Sequence, residues 1–85
     1  MASYKLLLKR SAVKELEALP PTIRRRVAAK ISALARTPRP QGVEKLSGQE
    51  KYRFRQGDYR VLYSIDDGAL TVTVVKIGHR RDVYR

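Results

Sequence analysis

The sequence predicts one small α+β domain spanning residues 1–85, in which a strand, a two-helix antiparallel hairpin and a three-strand antiparallel meander follow in order. Both helices are expected on one face of the sheet. Three observations carry this reading. Apolar residues recur at helical spacing on both sides of the pair Pro20-Pro21. After Gly42 the spacing changes to alternation, and the turn signals "QGDY" and "DDG" divide that second half into three strands. Eighty-five residues supply one modest core, too little for two independently folding units.

The first element, "SYKLLLKR", alternates and then runs apolar, as a strand in the body of a sheet would. Ser11 follows as the expected N-cap of a short helix whose stripe is Ala12, Val13, Leu16 and Leu19. Pro20 and Pro21 must end that helix, because proline lacks an amide donor and disfavours helix in the residue before it. The same prolines can open the next helix, where a missing first-turn amide costs nothing. Ile23, Val27, Ile31 and Leu34 form its apolar stripe, with Arg25 and Arg36 opposite, and "TPRPQG" ends it.

The meander holds the most unusual residues. In "KYRFRQGDYRVLY", Arg53, Arg55 and Arg60 stand among aromatic and aliphatic residues expected in a strand core. A two-residue turn at Gly57 and Asp58 pairs Gln56 with Tyr59, Arg55 with Arg60, Phe54 with Val61 and Arg53 with Leu62. Tyr52, Phe54, Val61 and Tyr63 then face the helices, and the three arginines converge on the opposite face. A two-residue turn at Asp67 and Gly68 would place Val72 and Val74 in the core and set Val75 opposite Arg60. Arginines directly across from each other repel, so the arrangement costs stability unless an anion neutralises it. Long arginine stems can simply cover a sheet face while their heads stay hydrated. Three on one face, with Arg80, Arg81 and Tyr84 arriving from the C-terminus, point instead to a phosphate-binding site.

Charge names the partner class. Nineteen Lys and Arg against eight Asp and Glu give a formal charge of +11, which attracts polyanions, nucleic acid before a membrane surface. The longest apolar run, "ALTVTVV", is far shorter than the roughly 20 residues that span a bilayer. The N-terminus "MASYKLLLKR" puts its charges after a very short apolar stretch, the reverse of a secretory signal, so a cytoplasmic location is expected. Without Cys there is no disulfide or thiolate chemistry, and one His with few acids argues against a metal site or other cofactor. "DDG" reads as turn chemistry, and "RRR" at Arg24 to Arg26 reads equally as a solvated helix face or a contact for nucleic-acid phosphates.

The element order, with "GDYRVLY" and "GHRRDVY" at this spacing, resembles the RelE/ParE superfamily of type II toxin–antitoxin toxins over essentially the whole chain, and the RelE branch most. RelE-type toxins are ribosome-dependent endoribonucleases that cut mRNA in the decoding site and stop translation. ParE-type toxins share the fold and inhibit DNA gyrase without chemistry. The resemblance implies a cognate acidic antitoxin in a hetero-oligomeric complex, the ribosome and mRNA as further partners, and site residues Arg53, Arg55, Arg60, Arg80 and Tyr84; Arg81, next to Arg80, is expected on RNA with Arg53, Arg55 and Arg60. The two basic residues of the first meander strand are often lysines in RelE members. Here they are Arg53 and Arg55, which bind phosphate but cannot act as bases.

With no Cys, one His and no evident carboxylate pair, the simplest route to RNA scission is attack by the neighbouring 2′-hydroxyl on phosphorus. Arg53, Arg55 and Arg60 suit alignment and charge stabilisation, because guanidinium forks match phosphate oxygens. Arg80 is expected at the leaving 5′-oxygen. Tyr84 is the acid/base candidate if nearby cations lower its phenol pKa from about 10, or it stacks on a base. His79 and Glu50 are secondary proton-transfer candidates, with a polar surface histidine and a loop charge as the simpler readings.

Overall fold

The computed structural model describes residues 3–46, 51–79 and 81. It contains β1 (Lys5–Leu8), α1 (Arg10–Glu17), α2 (Pro21–Ala33), β2 (Glu44–Lys45), β3 (Lys51–Gln56), β4 (Tyr59–Asp66) and β5 (Thr71–His79). The sheet order is β1-β5-β4-β3-β2. β1 runs parallel to β5, and the other pairs are antiparallel. The α+β architecture with helices on one sheet face is therefore as expected, with one short strand, β2, added at the edge.

β1 lies at an edge and not in the body of the sheet. Its register pairs Leu6 with Val72 and Leu8 with Val74, which turns those leucines toward the core and leaves Lys5 and Leu7 on the other face. Leu7 is 43% exposed there. Lys9 bonds through its amide to Val74 O at 3.0 Å, and its carbonyl accepts from Val13 N at 3.0 Å. The helix consequently starts as soon as the chain leaves β1. Lys9, extended at φ −60° and ψ 150°, is the N-cap without a side-chain bond, and Ser11 sits inside the first turn. Of the α1 stripe, Ala12 and Leu19 are buried and Leu16 partly so, whereas Val13 is exposed. The short helix has only a narrow buried stripe, and Val13 falls at its margin.

Pro20 is the N-cap of α2 and Pro21 its first residue. Val27, Ile31 and Leu34 are buried on the sheet, and Ile23 is half-buried. Arg25 and Arg36 stay exposed as expected. Arg24 turns aside from its neighbours, donating through Nη1 to Glu17 O at 3.3 Å and so satisfying a carbonyl at the C-terminal end of α1.

The first hairpin has the expected register: Gln56 opposes Tyr59, Arg55 opposes Arg60, Phe54 opposes Val61 and Arg53 opposes Leu62. Gly57 has φ +60°, the left-handed region that the first central position of such a turn demands. Tyr52, Phe54, Val61 and Tyr63 are all buried. The second turn differs. Asp66 pairs with Thr71, so the loop holds Asp67 to Leu70, with the Asp66 carboxylate accepting from Ala69 N at 3.0 Å. Lengthening the loop by two residues preserves the alternation, and Val72 and Val74 remain in the core. A bulge between Leu62 and Tyr63 then skips Val75 and swings Ile77 into the core. Arg60 consequently stands opposite Gly78, not Val75.

The linker after α2 is tied down at the far end of the sheet. Arg39 forks onto both Asp67 carboxylate oxygens at 3.2 and 2.8 Å, donates through Nε to Tyr52 Oη at 2.9 Å, and lies 5.3 Å from the Tyr52 ring centre. Tyr4 donates to Asp67 at 2.6 Å, and Tyr63 donates to Pro38 O at 2.8 Å. Burial pushes the Tyr63 phenol up to about 12, which keeps it a donor. The Arg39 and Tyr4 hydrogen bonds hold the Asp67 carboxyl down at about 2. Because that value lies below the unfolded one, near 3.9, the stabilisation is complete above about pH 4 and is lost as pH falls through about 2. Asp67→Asn should lower the melting temperature at neutral pH by on the order of a few degrees. It should also flatten the acid limb, and an acid limb parallel to wild type in thermal melts would mean that the bridge contributes nothing.

Candidate functional site

Alternation along β3 and β4 builds the site. With Tyr52, Phe54, Val61 and Tyr63 committed to the core, Arg53, Arg55 and Arg60 must emerge on the open face. Beneath them Tyr52 and Tyr63 stack at 5.7 Å and Phe54 tilts against Tyr63 at 6.2 Å, which gives the arginine strands a stiff floor. The three guanidinium groups differ in setting. The Arg53 side chain is only 16% exposed, whereas that of Arg55 is 58% exposed. The Nε atoms of Arg53 and Arg60 are sealed from solvent. Arg53 is thus held down on the sheet, and Arg55 is presented to solvent. Opposite Arg60 stands Gly78, which contributes no side chain of its own to that face.

The anion that the arginine pair calls for is supplied from β2. Glu44, opposite Arg53 in the sheet, accepts a short hydrogen bond from Arg53 Nη2 through Oε2 and another from Arg55 Nη2 at 3.4 Å through Oε1. The Arg53 hydrogen bond and charge, followed by the charges of Arg55 and Arg60, hold the Glu44 carboxyl below the usual range. Glu44 is therefore ionised throughout the neutral range. Sequence reasoning missed it, because a two-residue strand has no periodicity to read and the register of β2 on β3 is a tertiary fact.

Beside Glu44 lies a groove of about 430 Å³ whose lining includes Lys30, Leu34, Val43, Phe54 and Arg55. Lys30 crosses it, donating from Nζ to Arg55 O at 3.0 Å and standing 5.7 Å from the Phe54 ring centre. This contact ties α2 to the arginine strand. Lys30 was likewise not singled out from the sequence, where it is one lysine in a basic helix.

His79 is not part of the cluster. It pairs with Tyr59, on the helix side of the sheet, with the two rings edge to face at 5.7 Å. Its Nδ1 accepts from Arg81 N at 3.3 Å, and Arg81 is exposed. Strand alternation, which sequence adjacency to Arg80 conceals, puts His79 and Arg60 on opposite faces. Arg80, Tyr84 and Glu50 lie outside the described residues. Among the described residues no three His, Asp or Glu side chains form a metal-ligand group, and no helix is long and apolar enough to cross a membrane.

A five-strand mixed sheet with two helices on one face and a cationic opposite face defines a class. The family model for the ParE toxin of the type II toxin–antitoxin system, parDE, matches residues 6–84, and the chain belongs to that family of toxins. Within the RelE/ParE superfamily its likeness is to RelE toxins. A chain of the toxin–antitoxin complex RelBE2 from Mycobacterium tuberculosis is 32% identical, over 96% of this chain and 97% of that one, with a TM-score of 0.79. A chain of the archaeal RelE-RelB complex from Pyrococcus horikoshii is 31% identical over 95% and 99%, with a TM-score of 0.84. Toxin RelG of Mycobacterium tuberculosis is 52% identical over 31 residues, a match spanning 36% of each chain.

The site's charge yields a direct expectation. Arg60→Ala should weaken binding to a single-stranded oligonucleotide and reduce the magnitude of the logarithmic salt slope by about one. Titration at three salt concentrations measures both, and an unchanged slope would place the nucleic acid elsewhere.

Proposed function

We propose that this toxin is an endoribonuclease of the RelE type, which cuts mRNA on the ribosome and is held inactive by a cognate antitoxin. The observation that carries this reading is the convergence of Arg53, Arg55 and Arg60 on one open face, with Arg55 turned to solvent. The solved relatives described as toxin–antitoxin complexes support an antitoxin as partner, and the +11 charge suits an acidic one. The setting is the cytoplasm, where ribosomes and message are.

In the proposed reaction the 2′-oxygen forms a bond to phosphorus as the bond from phosphorus to the 5′-oxygen breaks. The proton of the 2′-hydroxyl leaves to a base, and the departing 5′-oxygen gains one. Arg53, Arg55 and Arg60 bind the phosphate and stabilise the charge that grows on its oxygens. Arg80 at the leaving oxygen and Tyr84 as the proton-transfer group are assigned from positions the resemblance matches, Arg81 on RNA from its place beside Arg80 in the sequence, and all three form part of the proposal. The ribosome supplies alignment, since a domain of this size has little surface with which to orient RNA alone.

Arg60→Ala should slow single-turnover cleavage of ribosome-bound message by on the order of 10² or more with ribosome binding nearly unchanged. Lysine there should restore only part, keeping the charge and losing the fork. Tyr84→Phe should slow the chemical step and alter its pH profile. A message with a 2′-deoxy residue 5′ to the scissile phosphate should bind and resist cutting, and normal cleavage of it would exclude the mechanism.

The name of the matching family model favours one second reading, a non-enzymatic inhibitor of DNA gyrase. Induced cells discriminate the two. Cut message with intact chromosomes supports the first, and double-strand breaks with intact message support the second.

A further inference from the structure

Glu44 poses a question that the proposed reaction leaves open. Its carboxylate bonds the same Arg53 and Arg55 nitrogens that a phosphate needs, so ligand and carboxylate compete for one site. Three features make the carboxylate exchangeable. Its side chain is 51% exposed, and its contact with Arg55, itself 58% exposed, is an ion pair wet on both sides and so held weakly. It stands on a two-residue edge strand that pairs only with β3, so its movement breaks no core packing. The groove that Glu44 itself lines lies alongside, with room for the displaced side chain.

We propose that the Glu44 carboxylate is a resident stand-in for the substrate phosphate, occupying the Arg53–Arg55 site in the free protein and giving way to a phosphodiester when single-stranded nucleic acid binds. The inference rests on the reading of the arginine face as a phosphate site. Exchange begins at Arg55, whose bond to Glu44 is long at 3.4 Å and whose guanidinium is already turned to solvent. A lone small anion must outbid a carboxylate tethered beside its target. A strand of neighbouring phosphates brings several charges at once and a bidentate match to each fork, so the device selects polyanionic strands over small anions. By neutralising Arg55 it also lessens the repulsion between Arg55 and Arg60 while no ligand is present.

The test compares wild type with Glu44→Gln, which keeps the shape and removes the charge, using a single-stranded 2′-deoxy oligonucleotide at fixed salt. Glu44→Gln should bind it about tenfold more tightly, the worth of one partly screened charge. Inorganic phosphate should raise the melting temperature of Glu44→Gln and leave wild type nearly unmoved. Equal or weaker binding by the variant, or no binding by either protein, overturns the proposal. A measurement on unaltered protein guards against a folding defect: at fixed neutral pH the Glu44 carboxyl carbon resonance should shift on saturation with the oligonucleotide as the carboxylate leaves its hydrogen bonds to Arg53 and Arg55, and a fixed resonance overturns the exchange. Cleavage of ribosome-bound message is scored apart. Tighter binding by the variant with no cleavage by wild type keeps the exchange and removes the endoribonuclease reading, whereas cleavage with equal binding removes the exchange alone.

Discussion

Two guanidinium groups facing each other across a tight hairpin set the terms for this molecule. Arg55 and Arg60 are paired directly, and Arg53 lies one row away on the same face. Like charges so placed oppose the strand pairing that brings them together. The register persists because slipping it by one residue would drive the arginines inward and expose Tyr52, Phe54, Val61 and Tyr63. Core burial therefore forces the cations together, and the remaining strain is relieved by the Glu44 carboxylate at the sheet edge.

That relief depends on a chain of contacts starting far from the arginines. β2 follows a linker that Arg39 fastens to Asp67 and Tyr52, and that Tyr63 fastens at Pro38. Tyr52 and Tyr63 serve twice, as stacked core rings and as polar anchors for the linker. A hydrogen-bond network at one end of the sheet thus helps to place the acid that neutralises the other. Local contacts set the position of Glu44, and Coulombic attraction sets its side chain.

The faces of the sheet divide the work. One carries the helices and the apolar core, and the other carries an arginine cluster with an ionised acid beside it. His79 illustrates how strict the division is, because a one-residue step from Gly78 carries it through the sheet to the helix side.

Local periodicity determined a good deal of this protein by itself. The order of elements, the Pro-Pro boundary, the first hairpin register and the shared face of the three arginines all follow from alternation, helical spacing and turn chemistry, which act over a few residues. What lay further apart in the chain was decided in three dimensions. The edge position of β1 came from its parallel pairing with β5, and Gly78 came opposite Arg60 through a longer loop and a bulge. Glu44 met Arg53 and Arg55 because β2 joined the sheet, and no short-range pattern announces a two-residue strand. A side chain's face is written in its near neighbours, but the partner that meets it across strands depends on how the whole sheet closes.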